Sequence, residues 1–182
     1  MTEDSEELDN ISVGEMGIVY DVMGEIEFLY DDLQEVMDDI EDREPATGNK
    51  ILLKPEERSA LLEFYTVGHA RLEQVSANIL AEELTDGEDR STENCWDFFK
   101  NNITQSQRED MMFYAGAIDP GLKSEIEKVR KVRNQLVHNQ DKRIYLENKT
   151  QTDIDRAFRC IENLNEVLKS YLSEENSSTS TS

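Results

Sequence analysis

The residues best suited to chemistry stand in one short run, Arg133-Asn134-Gln135-Leu136-Val137-His138. Arginine keeps its charge at any physiological pH and offers a planar fork of N–H donors that fits phosphate or carboxylate oxygens. Histidine exchanges a proton near neutrality, which suits general acid–base work. If the run is helical, Asn134 and His138 lie one turn apart and can touch. Arg130, Asn134 and His138 then fall within roughly 80° of one another on one face, together with Lys123 and Glu127. Leu122, Val129, Val132 and Leu136 form a separate apolar stripe. Arg133 stands at the border of the two, half-buried, with its stem on the stripe and its guanidinium reaching out. A purely structural reading competes. His138 near a helix C-terminus complements the helix dipole, Asn139 caps the helix, and Arg133 pairs with a carboxylate elsewhere in the protein.

The surrounding charge sharpens the choice. The chain holds 41 Asp and Glu against 19 Lys and Arg, a net charge of −22. Between Lys123 and Arg143 the balance reverses: Lys123, Lys128, Arg130, Lys131, Arg133, Lys142 and Arg143 oppose only Glu125, Glu127 and Asp141. That window is +4 in a chain that is otherwise −26. Such an island either pairs with acidic neighbouring helices or receives phosphate. The acids are spread along the whole chain. This pattern fits adaptation to high intracellular salt, where dense carboxylates keep a protein hydrated. An acidic mimic of nucleic acid is an alternative, but a mimic has no need of the cationic island. A disordered acidic chain is disfavoured, because the apolar residues recur at helical spacing.

The elements that must position the motif read as four long helices and one or two short ones. The first is expected from about Val13 to Asp42, on Ile18, Val22, Ile26, Leu29, Leu33, Val36, Met37 and Ile40. The second starts at Pro55, a favoured first helical position, and runs to about Leu84. Residues 86–93 read as a loop. Cys95 to Phe99 reads as a short helical turn. Thr104 is an expected N-cap for a short helix through Met111, Met112 and Ala115, broken by Asp119, Pro120 and Gly121. The motif helix follows from about Leu122 to Asn139, and the last helix from about Asp153 to Leu172. The only strand candidate is Arg143 to Leu146. The expected architecture is therefore an all-α antiparallel bundle over residues 11–172. Residues 1–10 read as a disordered acidic arm, and residues 173–182 as a disordered Ser/Thr tail.

Several function classes are disfavoured. Cys95 and Cys160 form no CxxC pair, and with His69 and His138 they show no metal-ligand spacing, so neither metal nor cofactor is expected. The N-terminal stretch lacks the apolar core of a signal peptide, and no run reaches membrane-spanning length, so a cytoplasmic location is expected. There is no Gly-rich phosphate loop and no nucleophile elbow. His69, mid-helix near Tyr65 and Leu72, reads as structural.

The motif helix resembles that of the HEPN family. HEPN domains are helical bundles carrying an arginine, usually followed by a polar residue such as Asn, with a histidine four to six residues after the arginine. Arg133, Asn134 and His138 are similar to that pattern at its shortest spacing, and Ile126 to Val132 resembles the run leading into it. The acid-rich balance resembles that of a halophilic archaeal protein. The resemblance implies a metal-independent endoribonuclease of the toxin or defence type, working as a homodimer with the motif at the interface. It implies that His138 moves the proton of a ribose 2′-OH, Arg133 stabilises the charged phosphate and Asn134 orients one of them. Lys123, Arg130, Lys131, Lys142 and Arg143 are then the expected RNA contacts. The alternative is a non-catalytic HEPN-like dimer that binds RNA or a partner protein. An antitoxin or other regulatory protein is a further implied partner. In the branch regulated by a partner nucleotidyltransferase a tyrosine lies two residues after the histidine; Gln140 stands there, against that regulation.

Overall fold

A computed structural model describes residues 13–41, 43, 50–84, 92–138, 145–147 and 150–178. These form six helices: α1 (Val13–Glu41), α2 (Pro55–Leu84), α3 (Thr92–Asn102), α4 (Gln105–Ala115), α5 (Pro120–His138) and α6 (Thr150–Ser178). Two three-residue strands, β1 (Lys50–Leu52) and β2 (Tyr145–Glu147), pair antiparallel with Ile51 opposite Leu146. Among the described residues the protein is thus all-α apart from this clip, which ties the entry to α2 to the entry to α6. Among the described residues no helix is long and apolar enough to cross a membrane.

Helix α2 packs against each of the other five helices. Leu61, Phe64, Tyr65, Leu72, Val75, Ala77, Ile79 and Leu80 belong to one core with side chains of every other helix, while Ser59, Glu63, Thr66 and Ala70 leave a solvent strip on its first half. The neighbours bury single stripes at three- and four-residue spacing, Ile26, Leu33, Met37 and Ile40 from α1 and Ile154, Ala157, Ile161, Leu164 and Leu168 from α6. Each large aliphatic side chain buried this way contributes about 1.5–3 kcal/mol. Tyr30 of α1 stacks on Phe158 of α6 at 4.3 Å between ring centres, and its hydroxyl donates to Asp155 at 2.9 Å.

Local chemistry fixes the helix ends. Pro55 opens α2, and Glu57 accepts the Lys54 backbone N–H at 2.7 Å, the carboxylate half of a capping box. Arg43 pairs with the same carboxylate. Burial pushes the Glu57 carboxyl up, but Arg43 and the Lys54 N–H outweigh it and hold it below the usual range. Thr104 caps α4 with the full reciprocal box to Gln107. Gly116, at φ 85°, ends α4 in the left-handed conformation that favours glycine.

Some expectations are corrected. Pro120 and Gly121 do not merely break the chain after α4; they form the first turn of α5. Asp119 is its cap, accepting the Leu122 N–H at 2.7 Å, and proline at the first helical position loses no hydrogen bond. The stretch around Cys95 to Phe99 is an eleven-residue helix rather than a turn. The tail expected from Ser173 is helical as far as Ser178, because Glu174 and Glu175 are good helix formers that continue the last turn. The expected acidic arm and residues 179–182 lie outside the described residues.

Among the described residues two arginines are almost fully buried, Arg71 and Arg108. Arg71 of α2 donates from Nε and Nη2 to Asn165 Oδ1 of α6, at 3.1 and 2.7 Å. Arg108 of α4 donates to the carbonyls of Phe99 and Ile103, each at 2.6 Å, which closes the C-terminal end of α3. Both guanidiniums are held below the ordinary arginine value, first by burial, yet an arginine stays charged in a protein. Asn165→Leu therefore strands a buried charge and is expected to lower the unfolding free energy by about 3 kcal/mol in urea at fixed salt. The double variant with Arg71→Met is expected to recover much of that loss, because it removes the stranded charge as well. Equal losses in the single and double variants would contradict this account.

Candidate functional site

Helix α5 turns its apolar stripe inward. Ile126, Val129 and Leu136 are buried, and Leu122 and Val132 pack at the edge of the core. The motif residues grade outward from that stripe: Arg133 and Asn134 are half-buried and His138, in the last turn, is exposed. Arg133 donates from Nη1 to Asn134 Oδ1 at 3.2 Å. The polar residue after the arginine thus holds the guanidinium on the motif's side of the helix.

The neighbouring cations are engaged. Arg130 binds Glu109 of α4 through two hydrogen bonds, 3.0 Å from Nε and 3.2 Å from Nη2. Burial pushes the Glu109 carboxyl up and the arginine pulls it back only in part. Arg130 is pushed up, chiefly by its bond to Glu109. These shifts pull opposite ways on the pair; the two-bond fork geometry identifies it as an ion pair. Lys123 bonds Asp110 at 2.6 Å and lies 4.9 Å above the Phe113 ring, and Lys131 bonds Glu127 at 2.7 Å along its own helix. Both lysine pairs are solvent-facing and therefore weak. Lys142, Arg143, Asn139 and Gln140 lie outside the described residues. Arg133, by contrast, has no carboxylate partner among the described residues. Its half-buried charge is answered only by a neutral amide.

Opposite α5 stands a residue expected to be purely structural. His69 of α2 is buried, with Nδ1 3.7 Å from Glu73 Oε2. Glu73 accepts from Arg108 Nη2 at 3.1 Å. Burial first, and then the charges of Arg133, Arg130 and Arg108, hold the His69 imidazole below its ordinary value, while Glu73 pulls the other way. The sequence signal for His69 was its place four residues after Tyr65 on the inward side of α2, which indicates burial. Its proximity to Arg133 spans the chain and has no local signature.

A cavity of about 150 Å³ opens on the α6 side of α5, lined among others by Tyr65, Lys128, Val129, Val132, Arg156 and Ala157. None of Arg133, Asn134 and His138 lines it. Among the described residues no group of three or more His, Cys, Asp or Glu side chains is arranged to hold a metal ion. Cys160 is buried, and its thiol is pushed up to about 12, mainly by burial, which makes it a poor nucleophile.

No family model matches the chain, and no curated protein and no solved structure matches it either.

The buried imidazole makes stability depend on pH with a definite sign. The folded-state value of His69 lies below its ordinary value of 6.5, so the unfolded chain takes up the proton first as pH falls. The stabilisation is fully present above the unfolded value and is lost as pH drops through and below it. The urea midpoint is expected to fall between about pH 7.5 and about pH 5.5, and His69→Gln is expected to flatten that fall. Parallel pH curves for the two proteins would show that His69 is not the group responsible.

Proposed function

We propose that this chain is a HEPN-type, metal-independent endoribonuclease in which α1, α2, α5 and α6 form the antiparallel bundle of that family. The observation that carries the reading is the state of Arg133. In a strongly acidic protein it keeps, among the described residues, a carboxylate-free guanidinium that reaches from the border of the apolar stripe to the Asn134 amide, and Asn134 lies one turn before the exposed His138 imidazole. An anion from outside is the partner that such a charge lacks, and a phosphodiester fits the planar fork.

The reaction is the one that the HEPN resemblance implies for these residues. The ribose 2′-oxygen attacks the adjacent phosphorus as His138 takes its proton. Arg133 stabilises the negative charge that builds on the non-bridging oxygens, with Asn134 holding the guanidinium in place. The bond to the 5′-oxygen of the next nucleotide breaks, that oxygen receives a proton, and a 2′,3′-cyclic phosphate remains. The nucleophile is intramolecular, so no metal is required to generate it. His138 alone supplies one proton-transfer group; a homodimer that brings two copies to one cleft supplies the second. The engaged state of Lys123, Arg130 and Lys131 favours one other reading, a non-catalytic dimer that binds RNA or a protein, because less free charge is left to grip a long polyanion.

Incubation of the purified protein with mixed single-stranded RNA at molar salt distinguishes these readings. The wild type is expected to cleave with or without chelator. Arg133→Ala and His138→Ala are each expected to lose about 10²–10⁴-fold in rate with helix content unchanged. Arg133→Lys is expected to be nearly as poor, because a point charge does not replace the fork. Cleavage that requires added magnesium, or that survives in His138→Ala, would overturn the mechanism. Sedimentation at the same salt is expected to give a dimer.

A further inference from the structure

The cavity beside α5 is built by three helices. Helix α5 contributes Lys128, Val129 and Val132, α6 contributes Arg156 and Ala157, and α2, which packs on both, contributes the buried Tyr65. At about 150 Å³ the space is as large as an apolar cavity that holds one benzene molecule. Its middle is apolar: two valines, an alanine and the wall of the tyrosine ring.

Two polar groups of the lining lack a partner. Tyr65 is only 3% exposed, and its hydroxyl makes no hydrogen bond among the described residues. A buried tyrosine hydroxyl usually has one. Nor is it one of the fully enclosed unpartnered atoms of the core, so it opens on the cavity that its residue lines. Burial pushes the phenol up from its ordinary value, so it keeps its proton and can donate.

The second group is Lys128. The other charges of the lining are answered: Arg156 bonds Asp153 at 2.7 Å and lies 3.9 Å from Glu125, and Lys131 bonds Glu127 at 2.7 Å. Lys128 is exposed and has no carboxylate partner among the described residues. A cation as ligand would compete with Arg156 for both acids and meet the repulsion of Lys128. An anion meets a charge that is still free.

We propose that this cavity binds a single-ring organic acid. The ring lies between Val129, Val132 and Ala157, the carboxylate is held at the mouth by Lys128, and a polar atom at the inner end of the ring accepts from the Tyr65 hydroxyl. The exposed lysine and the buried phenol set that order, charge outside and neutral polar group inside, with the apolar gap between them. No motif residue lines this cavity, so the proposal stands apart from the ribonuclease reading.

The probes are 4-hydroxybenzoate, which carries all three features, benzoate, which lacks the inner polar atom, and 4-hydroxybenzyl alcohol, which lacks the charge. Calorimetry on the full chain at fixed salt compares them on wild type, Tyr65→Phe and Lys128→Gln. Tyr65→Phe keeps the buried ring and Lys128 is exposed, so both variants are expected to fold as wild type does. Wild type is expected to bind 4-hydroxybenzoate with a Kd of about 0.1 mM. Benzoate is expected to bind about fivefold more weakly, and the alcohol about threefold more weakly. Tyr65→Phe is expected to abolish the preference over benzoate and keep the preference over the alcohol; Lys128→Gln is expected to do the reverse. Absence of 4-hydroxybenzoate binding to wild type at about 10 mM, or preferences that both variants leave unchanged, would overturn the proposal.

Discussion

Helix α2 packs against all five other helices and, between its end turns, leaves only a strip of its first half, Ser59, Glu63, Thr66 and Ala70, to solvent, and that constraint organises the rest of the protein. A polar group on the enclosed side of such a helix has no water to turn to, so each buried one must be answered by another group of the protein. Arg71 is answered by Asn165 of α6. Ser76 receives the amide of Gln105 at 3.2 Å, which seats the start of α4. Glu57 gathers Arg43 and the Lys54 backbone, which fixes the approach to α2 itself. The apolar core supplies most of the stabilisation, but these polar pairings set the register of each neighbour on α2, because a slip of one residue strands a buried charge.

His69 is also buried on α2, and its Nε2 has no hydrogen-bond partner among the described residues. Among the described residues the buried Arg71 meets only the amides of Asn165 and Gln74, while several cations pair with carboxylates, Arg130 with Glu109, Lys123 with Asp110, Lys131 with Glu127 and Arg156 with Asp153. That outcome is expected where carboxylates outnumber basic groups about two to one. Arg133 stands at the edge of the apolar stripe, where its Nη1 meets only the Asn134 amide. The site's positive character thus comes from what surrounds one arginine rather than from the number of basic residues in the window.

Much of this was legible in the sequence. Pro55 and Leu84 as the ends of α2, Thr104 as a cap, and the half-buried border position of Arg133 all follow from spacing and end chemistry, which are local. What was not legible is what arises from contacts across the chain. Nothing in the hydropathy of Arg71 or Arg108 indicates burial, because a buried arginine depends on acceptors supplied by Asn165 and by the carbonyls at the end of α3. The start of α5 was misplaced because Pro120-Gly121 was weighed as a breaker without the Asp119 cap beside it. Lys50–Leu52 is too short to carry a strand signal of its own and exists through its pairing with β2. The cationic window marked the right helix, but the sequence did not distinguish the paired Arg130 from the unpaired Arg133.

The account stands or falls on where a phosphate sits. A structure of the protein at high salt with a single-stranded RNA lacking the reactive 2′-hydroxyl measures this directly. The account predicts one phosphate within about 3 Å of the Arg133 Nη nitrogens, with the His138 imidazole within reach of the sugar 2′-carbon. RNA held elsewhere, with Arg133 still bonded only to Asn134, would contradict it.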